Sequence, residues 1–245
     1  MERTKYKLVL IGFLLVALNV NGTNKEDIYN AYIRNSMSVW KGIIDKFSYD
    51  ADTNNELLLE LVNYQYGYIG YCLGTKQKEE AALYLKKAEA NLVKLEYNKM
   101  FPAKISGYKS AFYGFHIGLN IFSAPFLGPK SSAAAKEAIA LDGDDYFGYV
   151  QYGNVQFHAP ALMGGSKTEA VKCYLKAKSL MEKSSLDKVH DWNYISLLVT
   201  LAKAYESTDD YINAKLIYEK LLGLEPDFSW VKTELYPNVL KQFKK

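Results

Sequence analysis

Cysteine, histidine and catalytic motifs are all scarce in this 245-residue chain, and each scarcity removes a class of function. There are two cysteines, Cys72 and Cys173, and neither belongs to a Cys-x-x-Cys pair. They lie within apolar helical patterns, where buried thiols are expected, although one disulfide stays open in an oxidising compartment. The three histidines, His116, His158 and His190, have no ligand-like spacing to cysteine or carboxylate, so no metal site is expected. His-Glu-x-x-His, Gly-x-Ser-x-Gly and Gly-x-Gly-x-x-Gly are all missing. Gly128-Pro129-Lys130-Ser131 is a partial match to a phosphate loop, but it lacks the earlier glycine and a preceding strand. It leaves Lys130 and Ser131 only as a weak anion site at a helix start. The expectation is a non-catalytic protein with no cofactor.

A large excess of charge of one sign is missing too. Residues 8–18 form an apolar run preceded by Arg3, Lys5 and Lys7 and followed by Val20, Asn21 and Gly22. That order of basic, apolar and small is the pattern of a cleavable signal peptide. The run is too short for a membrane span, which needs roughly 20 residues, and no cysteine near the cleavage point suggests a lipid anchor. Residues 1–22 are therefore expected to be removed on export to the periplasm or the exterior, leaving no integral span and one domain over 23–245. The remainder carries 27 Lys and Arg against 26 Asp and Glu. A nucleic-acid binder usually shows a basic stripe and a strongly positive charge, and neither is present in the sequence, so no nucleic-acid partner is expected.

What the chain has in abundance is aromatic and helical patterning, including 21 tyrosines. In residues 193–227, Leu198, Leu201, Ala202 and Tyr205 follow an i, i+3, i+4, i+7 stripe. Ala214 and Tyr218 lie one turn apart on a returning helix, and Pro226 ends it by lacking a donor. This unit resembles the tetratricopeptide repeat (TPR) family, whose 34-residue helix–turn–helix units stack into a solenoid. The resemblance implies an exported bacterial protein with a surface for binding a peptide or protein and no built-in chemistry.

A second regularity is visible without any family. Residues 118–135 align with 153–170 at a shift of 35, matching Gly118 to Gly153, Phe122 to Phe157, Ala124 to Ala159, Pro125 to Pro160, Ser131 to Ser166 and Ala135 to Ala170. Each copy has 17 residues from its glycine to its alanine, where the last unit has 12 from Ala202 to Ala214, so both middle units carry the same insertion. The expected fold is all-α: a right-handed helical-repeat solenoid of about four hairpins, at 56–97, 107–142, 145–183 and 192–226. A long N-terminal helix over 25–47 and a C-terminal helix containing Phe228, Trp230 and Pro237 should cover its ends. Thr53 and Glu56 have the spacing of a capping box at the start of the first unit.

Two candidate surfaces follow. The TPR resemblance implies a concave groove lined by the first helix of each hairpin, placing Tyr66, His116, Asn120, Asn154, Phe157, Lys203 and Glu206 inward. The Asn amides suit an extended peptide, donating to its C=O and accepting from its N–H. The second is the edge formed by the Ala-Pro insertions, with Phe122, Pro125, Phe126, His158, Pro160 and Met163. Either these loops fold back and fill space or they form an apolar interaction face. The functional expectation is a scaffold or adaptor for a peptide or protein partner. The alternative is a periplasmic ligand-binding component associated with a solute transport system, in which Tyr66, Tyr149, Tyr152 and Phe157 would enclose a small molecule.

Overall fold

The computed structural model describes residues 24–51, 54–183 and 190–244, and every regular element within them is helical. The expected signal peptide lies outside the described residues. Eight helices pair in sequence as four hairpins: α3 (Asn55–Gly74) with α4 (Lys78–Tyr97), α5 (Pro102–Leu119) with α6 (Ala124–Leu141), α7 (Tyr146–His158) with α8 (Lys167–Lys183), and α9 (Trp192–Glu206) with α10 (Tyr211–Leu224). Preceding them are α1 (Asn24–Ile33) and α2 (Met37–Ala51), and α11 (Tyr236–Leu240) follows after a π-helical stretch, Val231–Leu235. Among the described residues no helix is long and apolar enough to cross a membrane.

Side-chain caps set the helix starts. Asn54, not Thr53, caps α3, its Oδ1 accepting from the backbone N–H of Glu56 at 2.7 Å and Leu57 at 3.1 Å. Thr53 itself lies outside the described residues. Asp145 and Asp191 cap α7 and α9 in the same way, each accepting a backbone N–H two residues ahead at 2.9 Å. Inside the hairpins, small residues let the backbones approach. Ala81, Ala170, Ala202 and Ala214 are all fully buried, and Ser131 Oγ of α6 donates to the Ser110 carbonyl of α5 at 2.8 Å.

The N-terminal region departs from the single helix expected over 25–47. It breaks at Asn35, which takes a left-handed φ of 54°, a conformation that Asn tolerates better than most residues. The break sends the two legs to different places: α2 packs on α3, whereas α1 reaches α9. Tyr29 of α1 donates to Glu225 Oε1 at 2.6 Å, tying the first described helix to the end of the last hairpin. Tyr32 packs on Trp192 and on Phe228, with ring centroids 6.1 and 5.5 Å away. Trp40 of α2 meets Trp192 edge-on at 5.0 Å, and its Nε1 donates to the Tyr64 carbonyl at 3.0 Å. The chain thus fills part of the inner face of its own stack.

Several of the tyrosines act as two-ended pins, with a buried ring and a hydroxyl that reaches a carboxylate on a neighbouring helix. Tyr84 donates to Asp45 at 2.7 Å, Tyr194 to Glu182 at 2.7 Å and Tyr218 to Glu206 at 2.6 Å. Glu182 is the most heavily used acceptor. Burial pushes its carboxyl up, but hydrogen bonds from Lys178, Lys220 and Tyr194 outweigh that and hold its pKa down at about 2. A carboxylate whose folded pKa is depressed contributes stability above its unfolded value, and that stability is lost as pH falls through the folded one. After discounting for solvent screening, the contribution is about 1 kcal/mol. Urea unfolding at a series of pH values should therefore show stability falling from about pH 4.5 toward 2, and Glu182→Gln should flatten that slope.

Candidate functional site

The two candidate surfaces differ in how they are built. On the inner face, α3, α7 and α9 leave a cleft of about 40 Å³ lined by the rings of Tyr66, Tyr146, Phe147 and Trp192, the side chains of Val150 and Leu197, and the polar groups of Asn154, Asn193, Ser196 and Thr200. The Tyr66 ring lies 5.5 Å from that of Phe115, 5.7 Å from Phe147 and 6.4 Å from Trp192. Gln151 Nε2 donates to its hydroxyl at 3.2 Å, and burial raises the hydroxyl pKa. An extended peptide does not fit a cleft of this volume. A larger, shallow groove of about 500 Å³ lies elsewhere, between the start of α3 and the end of α4, beside Asn54, Tyr97 and Asn98.

Of the seven residues expected along a groove, Tyr66 and Asn154 line this cleft and the other five do not. His116 pairs with Glu89 of α4 at 2.7 Å. Asn120 caps the short turn after α5, accepting from Phe122 N–H at 3.1 Å. Phe157 lies under the ammonium of Lys167, 3.8 Å from its ring centroid. Lys203 reaches over Trp230 at 5.5 Å, and Glu206 accepts from Tyr218. Even Asn154 is occupied, since its Oδ1 accepts from Tyr174 at 2.9 Å and its Nδ2 donates to Gln151 at 3.3 Å. Tyr149 and Tyr152, which the enclosed-ligand alternative required, are also outside the cleft lining. The lining residues that sequence reasoning missed are Tyr146, Phe147, Val150, Trp192, Asn193, Ser196, Leu197 and Thr200. Asn193, Ser196, Leu197 and Thr200 form an i, i+3, i+4, i+7 stripe that the buried stripe of the same helix hid.

The Ala-Pro edge is open. Among the large apolar residues of the first insertion, Ile121 is 68%, Phe122 84% and Phe126 75% exposed, and in the second Leu162 is 102% and Met163 53% exposed. The loops do not fold back to bury them. Pro125, Pro160 and His158 are exposed beside them.

Although the two copies share their sequence motif, they fold differently. In the first, a three-residue 3₁₀ turn, Ile121–Ser123, runs straight into α6, with Pro125 in its first turn, where a missing N–H costs nothing. In the second, α7 continues to His158 and a tight turn follows, closed by Gly164 at a φ of 83°. Gly165 is equally constrained, since a Cβ there would lie 1.9 Å from the Ala159 carbonyl oxygen. Hydrogen bonds pin both loops: Ser123 Oγ to the Asn120 carbonyl at 2.7 Å in one, and Ser166 N–H to the Gln156 carbonyl at 2.9 Å in the other. The exposed side chains are thus held out on firm turns.

His158 ends α7 beside this edge, with its ring 5.0 Å from that of Phe157. Partial desolvation, and then the charges of Lys167 and Lys203, pull its pKa below the usual imidazole value, so at neutral pH it is uncharged.

No family profile matches this chain, and no curated protein matches it in sequence. Solved structures do match. The HusA haemophore from Porphyromonas gingivalis superposes with a TM-score of 0.58 at 18% identity, over 77% of this chain and 96% of that one. A thermophilic TPR protein from Thermus thermophilus superposes with a TM-score of 0.55 at 14% identity, over 89% of this chain and 100% of that one. At these identities the likeness establishes the fold, which is that of a TPR-type helical-repeat solenoid.

Proposed function

We propose that this TPR-type solenoid is an exported, non-catalytic binding protein whose Ala-Pro edge captures an apolar ligand, with haem as the cargo. The observation that carries this reading is the display of Ile121, Phe122, Leu162 and Met163 on two pinned turns, with Phe126 on the first turn of α6, more apolar surface than a loop edge needs for its own folding. Haem is a flat hydrophobic macrocycle with two carboxylates and an iron. The edge has the chemistry to match: large apolar side chains that would take the ring, the uncharged imidazole of His158 that would hold the metal, and, on the helices that follow the two insertions, Lys130 and Lys167 that would pair with the carboxylates. The structural likeness to a haemophore supports the same reading, as does the signal-like order of residues 1–22. An adaptor with a peptide or protein partner is the second reading, because a cluster of exposed apolar side chains is also what the core of a protein interface requires.

Haemin titration separates the two. The mature protein is expected to give a saturable change in the haem absorption band. Replacing Phe122, Phe126, Leu162 and Met163 together by serine should weaken binding more than about 100-fold, since each buried side chain is worth on the order of 1 kcal/mol or more. Leu83→Ser with Val93→Ser, two exposed apolar residues on α4, should leave it unchanged. Equal binding by the edge variant would reject the edge as the haem site, and no saturable binding by the wild type would reject haem as the cargo.

A further inference from the structure

We infer that the shallow groove between the start of α3 and the end of α4 is a saccharide site, built for a neutral pyranose chain. It belongs to the first hairpin, whereas the apolar edge belongs to the second and third, and it does not depend on the haem reading.

The first observation is an open aromatic ring. Among the described residues Tyr97 is the one tyrosine whose side chain is exposed, at 86%, and its ring packs on no other aromatic group. Val93, one turn earlier on α4, is 63% exposed, and both residues line the groove. A single exposed apolar residue is ordinary. Two on one helix face, walling one concavity, form a platform.

The second observation is a set of amides beside that platform. Asn54, Asn55 and Asn98 line the same groove, and Asn54 and Asn98 are exposed. Asn98 Nδ2 donates to Asn55 Oδ1 at 2.8 Å across the hairpin, and Asn54 Oδ1 is held by the N–H groups of Glu56 and Leu57. These bonds fix the amide planes and leave capacity on each. Among the described residues, no protein group takes the Nδ2 of Asn54 or of Asn55, the second N–H of Asn98 or its Oδ1. The Tyr97 hydroxyl adds a group that both donates and accepts.

Shape and charge decide the class of ligand. The groove's volume of about 500 Å³ falls among small-molecule sites, roughly 300–1,000 Å³. No Asp or Glu lines it, and Lys94, its one charged side chain, already has a partner, so nothing there calls for an ionic ligand. A peptide is anchored by side chains in apolar pockets. Leu58 is the buried apolar residue of the lining, and at 3% exposure it offers an entering side chain almost no surface. A pyranose has the complementary pattern. Its axial C–H groups lie flat on the negative face of an aromatic ring. Its rim carries hydroxyls, each of which accepts from an amide N–H and donates to an oxygen. Tyr97 and Val93 would take the flat face, and the three Asn side chains the rim.

The test uses cellotriose and maltotriose as probes and the side-chain amide signals of the whole mature protein in a ¹H–¹⁵N spectrum. Asn98→Ala and Asn54→Ser, which keeps a helix cap, identify two of those signals by their loss. At least one of the sugars should move both signals saturably, while the three indole signals stay in place. Tyr97→Ala should weaken binding at least about tenfold, and Tyr97→Phe, which keeps the ring, by no more than about threefold. The residue is exposed, so neither change should disturb the fold, and a circular dichroism melt checks this. Mannitol, which carries hydroxyls without a ring, should bind at least about tenfold more weakly than the sugar.

Amide signals that stay fixed with both sugars, or that move together with the indole signals, would overturn the inference. Full affinity in Tyr97→Ala, equal losses for Phe and Ala, or mannitol binding as tightly as the sugar would overturn the stacked ring. A blocked tripeptide, acetyl-Ala-Leu-Ala amide, that moves the same signals at lower concentration would overturn the ligand class. Haemin binding at the edge is measured separately, so neither result decides the other.

Discussion

Trp192→Ala is expected to destabilise the protein by about 3–5 kcal/mol, the range for truncating a large buried aromatic side chain. Trp192 is where both ends of the chain meet. Its ring touches Tyr32 of α1, Trp40 of α2 and Tyr66 of α3, with centroids 6.1, 5.0 and 6.4 Å away. Gly67 lies directly beneath it, where an added Cβ would be 2.7 Å from both Trp192 and Trp40. Truncation therefore leaves a cavity between elements far apart in sequence, and few local contacts can collapse into it. Trp192→Phe should behave differently. It keeps most of the ring and removes the Trp192 Nε1–H, a buried donor with no hydrogen-bond partner, whose burial costs about 1–3 kcal/mol. Its net cost should thus be well below that of the alanine variant. Urea midpoints at constant slope would measure both changes. Equal losses for Phe and Ala would mean that the N–H is paired in solution and that packing of the ring contributes little to stability.

The solenoid was legible in the sequence because its signals are local. Leu198, Leu201, Ala202, Ala214 and Tyr218, which defined the last unit, are all fully buried. Repetition of that pattern every 34 or 35 residues is enough to infer stacked hairpins. The closure of the stack was not legible. It depends on Tyr29 meeting Glu225 and Trp40 meeting Trp192, pairings across 196 and 152 residues that no periodicity encodes. Helical phase likewise could not show that Asn154 and Glu206 are already engaged by Tyr174 and Tyr218. The Ala-Pro edge was found by self-comparison, but its exposure was left open there, because loop packing is decided by neighbours rather than by composition. The same comparison also paired two glycines as equivalent that the structure makes unequal.

That inequality gives the other large effect. Gly118 and Gly153 match at the shift of 35, yet substitution should change stability in opposite directions. A Cβ at Gly153 would lie 2.5 Å from Cε1 of Tyr174, a ring that is fully buried and whose hydroxyl is held by Asn154 at 2.9 Å. The ring cannot retreat without giving up that bond, so strain should outweigh the roughly 1 kcal/mol that a helix gains when Gly becomes Ala. Gly153→Ala is expected to cost about 2 kcal/mol and Gly153→Val about 3 kcal/mol, as overpacking does. At Gly118 the nearest atom to an added Cβ is Leu73 Cδ1 at 3.4 Å, the end of a flexible side chain. Gly118→Ala should therefore stabilise by up to about 1 kcal/mol. Combining Gly153→Ala with Tyr174→Leu gives the decisive cycle. If the ring is the obstacle, the double variant should be more stable than the sum of the two single losses predicts, by about 1–2 kcal/mol of coupling. Additive losses would mean that Gly153 is required by its backbone and not by the ring above it.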